Sequence, residues 1–129
     1  MRTLRVGIAS YEQMKARTIA IARGKYKPAA GEPKVWFTSA ESFARVLSDR
    51  NRALLGIIAA SGPESLTRLA ELTGRKKSNL SRTLKTMERY GFVQLSHGAR
   101  GSIIPKVPYQ RISLILPLSE PGLQGIEAA

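Results

Sequence analysis

The 129-residue chain contains no cysteine and a single histidine, His97. The first absence excludes disulfides, thiolate nucleophiles, iron–sulfur clusters and thiolate zinc sites. With one imidazole, histidine metal sites and Ser-His-Asp triads are poor fits as well, so the sequence is expected to hold no metal and no cofactor. Acidic residues are also scarce: 9 Asp and Glu stand against 21 Lys and Arg, for a net charge of +12. The stretch from Leu72 to Ser119 holds Glu88 as its one acid. Metal-dependent nucleases need clustered carboxylates, and that segment has none to offer. No Gly-rich phosphate loop followed by Lys-Ser/Thr occurs. The chain is therefore not expected to be an enzyme. Long apolar runs are missing too; none approaches the ~20 residues of a membrane span. The opening MRTLRVGIASYEQMK has no continuous apolar core and does not read as a signal peptide. These features predict a soluble, cytoplasmic protein with a polyanionic partner.

The cations that are present fall in two blocks. Residues 1–34 carry a net +6 and residues 72–119 a net +8, while residues 35–71 are neutral and the last ten carry −2. A charge kept only for solubility has no reason to avoid the middle third.

Periodicity and caps predict an α+β fold. Thr3–Ile8 alternates as a strand. Ser10 and Gln13 form a capping box for a helix reaching about Arg23, with Met14, Ile19 and Ile21 as its apolar positions, and Val35–Phe37 reads as a second strand. Residues 1–37 thus form a β-α-β extension, a dimerisation or partner-binding unit. Thr38 and Glu41 suggest a box for a helix to about Leu47, and Ser48 caps the next helix, whose apolar face is Leu54, Leu55, Ile57 and Ile58. Ser65–Thr73 is a short helix with Leu66, Leu69, Ala70 and Leu72 inward. Gly74 and Arg75-Lys76-Lys77 make a turn into a helix over 77–90. FVQLS and Ile103–Val107 flank the Gly-rich turn HGARGS, and Tyr109–Leu118 is a further strand with Ile112, Leu114, Leu116 and Leu118 on one face. Residues 38–118 are taken as one domain and residues 119–129 as a mobile tail.

The segment SLTRLAELTGRKKSNLSRTLKTMERYG places two helices on either side of a short turn that opens with Gly, the layout of a helix-turn-helix. At ~100° per residue, with Leu80 at zero, Leu84 falls near about 40° and Met87 near about 340°, a buried stripe. Lys85, Ser78, Arg89 and Arg82 fall on the far side, at about 140° to about 200°, while Glu88 lies at about 80° on the flank. A face of cations and short hydrogen-bonding residues suits a major groove. Ser78, Asn79, Ser81 and Arg82 are the expected base readers. Lys76, Lys77, Lys85 and Arg89 are the expected phosphate contacts. Arg100, between glycines at the tip of the following hairpin, is positioned as a wing contact, although a plain hairpin would have the same pattern.

Residues 50–107, through LTRLAELTG and especially SNLSRTLKTMERYGFV, resemble winged helix-turn-helix transcriptional regulators of the MarR/ArsR-like kind. More loosely, the whole chain resembles small DNA-binding antitoxin-type proteins encoded beside toxin genes. The resemblance implies a dimeric repressor that binds double-stranded DNA. The alternative it leaves open is an antitoxin that neutralises a cognate toxin and autoregulates its operon. A nucleoid or RNA-binding module is a third possibility. One departure stands out: the position often held by a capping Ser or Thr is Lys76, a cation that opposes the helix macrodipole unless an anion lies nearby. Residues 1–37 and the 109–118 strand are two candidate dimer surfaces, or they pair with each other within one chain.

Overall fold

A computed structural model describes residues 2–116 and Leu118. The strand β1 (Thr3–Ile8) leads to α1 (Tyr11–Ala22) through the expected capping box, in which Ser10 Oγ accepts from the Gln13 N–H and the Gln13 side chain accepts from the Ser10 N–H. β2 (Val35–Phe37) pairs parallel to β1, with Val6 opposite Val35 and Ile8 opposite Phe37. α1 is the crossover between them, as parallel pairing requires. Ala20 is its buried residue. Of the apolar positions of α1, Ile19 and Ile21 are exposed, at 41% and 36%. The Arg17 guanidinium lies over the rings of Tyr26 and Trp36 and bonds Glu32 at 3.0 Å, so this cation of the first basic block already has partners.

The helix α2 (Ala40–Val46) begins one residue later than the Thr38–Glu41 box implies. Ser39 caps it, its Oγ accepting from the Ser42 N–H at 3.1 Å. Two adjacent hydroxyl residues compete for the cap. The edge-on packing of Phe43 against Phe37, with centroids 5.4 Å apart, accompanies the later start.

The last strand, β5 (Arg111–Ile115), departs from its assigned domain. It joins the N-terminal sheet beside β1, giving the order β2-β1-β5. The described residues divide into two compact units, one of Thr3–Phe43 with residues 112–116 and Leu118, the other of Ala44–Arg111 with Arg2. The division between the units falls within α2, and the described strand of the 109–118 segment is Arg111–Ile115, paired with β1. The physical reason is main-chain pairing: β2 satisfies one edge of β1, and β5 satisfies the other. The two candidate dimer surfaces are thus neighbours in one chain. The 119–129 tail and the edge expected at Pro117 lie outside the described residues.

The Ala44–Arg111 unit is built from three helices and a hairpin. α3 (Asp49–Ser61) is capped by Ser48 and buries Leu54, Leu55 and Ile58. α4 (Leu66–Thr73) is capped by Ser65 and buries Leu66 and Leu69. Leu72, expected inward, is 37% exposed. Gly74 closes α4 with φ 72°, a left-handed conformation that would strain any side chain. α5 (Lys77–Arg89) follows, and its buried residues are Leu80, Leu84 and Met87, the stripe that the helical period requires. β3 (Gln94–His97) and β4 (Ile103–Lys106) pair antiparallel, with Leu95 opposite Pro105 and His97 opposite Ile103. β3 packs against α5, and β4 against α3 and α4. Phe92 and Val93, at the exit of α5, are both about 1% exposed and complete this core.

Candidate nucleic-acid interface

The buried stripe of α5 fixes what the helix presents outward. Ser78, Arg82, Lys85 and Arg89 are exposed along its length, and Lys76 and Lys77 are exposed at its start. The ion pairs among the described residues are Arg17–Glu32, Arg52–Asp49 and Arg68–Glu71, and none involves α5. Glu88, the one acid on the helix, accepts from the Leu95 N–H at 3.3 Å and so turns to the hairpin backbone. Arg89 donates to the Thr86 hydroxyl at 3.3 Å, a neutral partner that leaves its charge intact. Six of the expected contact residues thus share one helix and its N-terminus, with no carboxylate among the described residues paired to them.

Ser81 and Asn79 stand apart from that group. Ser81 is half-buried on the flank. Asn79 is half-buried too, and its Oδ1 accepts from Arg75 Nε at 3.0 Å and from Arg75 Nη2 at 2.8 Å. Reading adenine takes both the oxygen and the nitrogen of a carboxamide. The Asn79 oxygen that such a contact would use is held here by Arg75. The partner responsible is Arg75, in the turn that follows Gly74. Nothing in the sequence marks it, because the spacing of Arg75 and Asn79 is common and the turn torsions alone bring them together.

Arg75 also reaches the Thr83 hydroxyl at 3.4 Å and Asn51 Oδ1 at 3.5 Å. Burial, and then the charge of Arg50, lower its pKa from the ordinary arginine value. The guanidinium nevertheless keeps its proton at any physiological pH. Arg50 and Arg75 border a shallow cleft of about 230 Å³ together with Leu72 and Thr73. A second cleft, of about 260 Å³, is bordered by Arg45, Asn51, Arg82 and Thr83.

The start of α5 lacks a side-chain cap. Lys76 occupies the N-cap position and makes no side-chain cap bond, whereas Ser10, Ser48 and Ser65 cap α1, α3 and α4. Unpaired N–H groups with two lysines beside them favour negative charge.

At the hairpin tip, Ala99–Gly101 forms a single 3-10 turn, and Gly98 N–H donates to the Ser102 carbonyl at 2.8 Å. A Cβ on Gly98 would lie 2.7 Å from Ile104 Cδ1 and 2.8 Å from Ser102 Oγ, so a larger residue there would displace both side-chain ends. Arg100 is exposed and holds φ 58°, the one non-glycine with positive φ among the described residues.

A family model described as HVO_A0114 matches residues 46–114, more than half of the chain. The chain belongs to the HVO_A0114 family. The HVO_A0114 match begins just before α3 and takes in α4, α5, the β3–β4 hairpin and most of β5. It includes every residue singled out above on α5 and at the hairpin tip. No curated protein and no solved structure matches the chain. Among the described residues, no three His, Asp or Glu side chains gather as metal ligands, and no helix is long and apolar enough to cross a membrane.

Proposed function

We propose that the chain is a sequence-specific double-stranded DNA-binding transcriptional regulator, a dimeric repressor of winged helix-turn-helix type. In this reading α5 lies in the major groove and the β3–β4 hairpin is the wing. The observation that carries it is the outward face of α5: exposed cations and a serine, with no carboxylate paired to them among the described residues. Exposed helix faces of ordinary proteins mix both signs, and their charges pair at i,i+3 or i,i+4. α3 and α4 do so here, through Asp49–Arg52 and Arg68–Glu71, and α5 does not.

Roles follow from accessibility. Ser78 and Arg82 are the exposed base readers, with Ser81 a lesser contributor. Lys76, Lys77, Lys85 and Arg89 contact phosphates, where the uncapped start of α5 adds to the attraction. Arg100 reaches the minor groove or an adjacent phosphate. Asn79 is reassigned from base reading to holding Arg75. Dimerisation places two copies of α5 about one helical turn, ~34 Å, apart on DNA.

Selection of bound duplexes from a random pool tests the proposal. A palindromic consensus with half-sites one helical turn apart is expected. Recovery of no preferred duplex, or binding of duplex RNA as tight as that of duplex DNA, contradicts it, since the A-form major groove is too narrow for side chains to read.

A further inference from the structure

The four hydrogen bonds of the Arg75 guanidinium extend into a longer chain of contacts. Asn51 donates through Nδ2 to the Val46 carbonyl at 3.0 Å, and its Oδ1 faces Arg75 Nη1. Arg75 in turn donates to Asn79 and Thr83, which lie one helical turn apart on α5. The last residue of α2, the first turn of α3, the turn before α5 and the first two turns of α5 are therefore tied through one guanidinium. Every acceptor is neutral. A carboxylate would have held the arginine more strongly and cancelled its charge. Here the planar fork is used for geometry while the charge remains.

Resting on the DNA-binding reading above, we propose that Arg75 is a positioning residue for base recognition: it sets the rotation of α5 about its own axis, with Asn79 as its main anchor. The reasoning is geometric. Side-chain tips lie about 5 Å or more from a helix axis. A rotation of about 20° therefore moves them by roughly 2 Å. Hydrogen bonds to base edges do not survive such a shift, since their useful range is only about 2.7–3.2 Å. Attraction to phosphates survives it, because Coulomb energy falls slowly with distance. Loss of the anchor should thus reduce discrimination between sequences and spare general affinity for DNA.

Lysine at position 75 keeps the charge and loses the fork, which makes Arg75→Lys the informative variant. The duplex selected by the wild-type protein and a random duplex of equal length are titrated against wild type, Arg75→Lys, Asn79→Ala and the double variant, with folding checked by circular dichroism. Each single variant is expected to lower the selected-to-random affinity ratio by about tenfold or more. Affinity for the random duplex should stay within about threefold, and the double variant should be no worse than either single one. Asn79→Ala leaves the arginine in place and provides the same comparison if Arg75→Lys does not fold. A ratio retained within about twofold in a folded variant overturns the proposal, and so do losses that multiply in the double variant, which would mark two independent contacts. A wild-type protein that selects no duplex overturns the DNA-binding reading itself. Selection by wild type with an undiminished ratio in the variants overturns the positioning role alone.

Discussion

Lys76 occupies a position where a hydroxyl would stabilise the helix, since its side chain has no acceptor for the N–H groups at the start of α5. Replacing it with serine should add a cap and stabilise the protein by about 0.5–2 kcal/mol, read as a higher thermal midpoint. The same change removes a phosphate contact, so affinity for random duplex should fall as stability rises. If Lys76→Ser gains stability and loses no affinity, this lysine is not at the interface. Arg100 poses the same opposition in its backbone. A left-handed arginine costs about 1–2 kcal/mol relative to ordinary backbone, and glycine relieves it. Arg100→Gly should therefore raise the thermal midpoint and weaken DNA binding, with both measured on one preparation. Unchanged binding would leave the hairpin tip without a role in recognition. At two sites, then, a residue unfavourable to the fold is also a cation exposed at the proposed interface.

At the scale of elements, α5 was the most legible part of the chain. Leu80, Leu84 and Met87 are 0%, 0% and 1% exposed, and the helical period that places them inward also places Ser78, Arg82 and Lys85 outward. A long, strongly patterned helix leaves its neighbours little freedom to alter that division. Short or weak patterns were less legible. Thr38 and Ser39 both offer a hydroxyl, and the choice of Ser39 is accompanied by its bonds with Ser42 and by the packing of Phe43, neither of which the residue pattern reports. In α1 the apolar residues follow no clear period, and Ala20 rather than Ile19 or Ile21 faces inward. The Arg75–Asn79 contact depends on torsions in the turn, which residue identities do not report. Within α5, base contacts and phosphate contacts should separate on mutation. Arg82→Ala should cost about 1–3 kcal/mol on the selected duplex and relax specificity there. Lys85→Ala should weaken selected and random duplexes alike. Equal losses on both duplexes from both variants would mean that Arg82 reads no base.

Across the whole molecule, the least legible feature was the pairing of β5 with β1, a contact between the two ends of the chain. Ile112, Leu114 and Leu116 identify a strand, but hydrophobic alternation does not name its partner. That pairing makes β5 an outer strand of the β2-β1-β5 order, with Leu114 37% exposed and Leu116, just past its end, 54% exposed. An apolar outer strand is a liability in a monomer and suits the two-fold dimer that the proposed function requires. Leu114→Lys combined with Leu116→Lys should shift the protein toward monomer by light scattering and weaken binding to a palindromic duplex more than to a half-site. A dimer that persists in this variant must form through another surface.

The absence of cysteine allows the most direct measurement. A cysteine introduced at Ser78 on α5, or at Glu64 in the loop before α4, is the only thiol in the molecule and accepts one photoactivatable cross-linker. Bound to the selected duplex and irradiated, Ser78→Cys should cross-link efficiently to bases at a fixed position in each half-site, and Glu64→Cys should cross-link weakly or not at all. A duplex that is bound, yet captured from position 64 and not from position 78, would show that the outward face of α5 is not the surface that meets DNA.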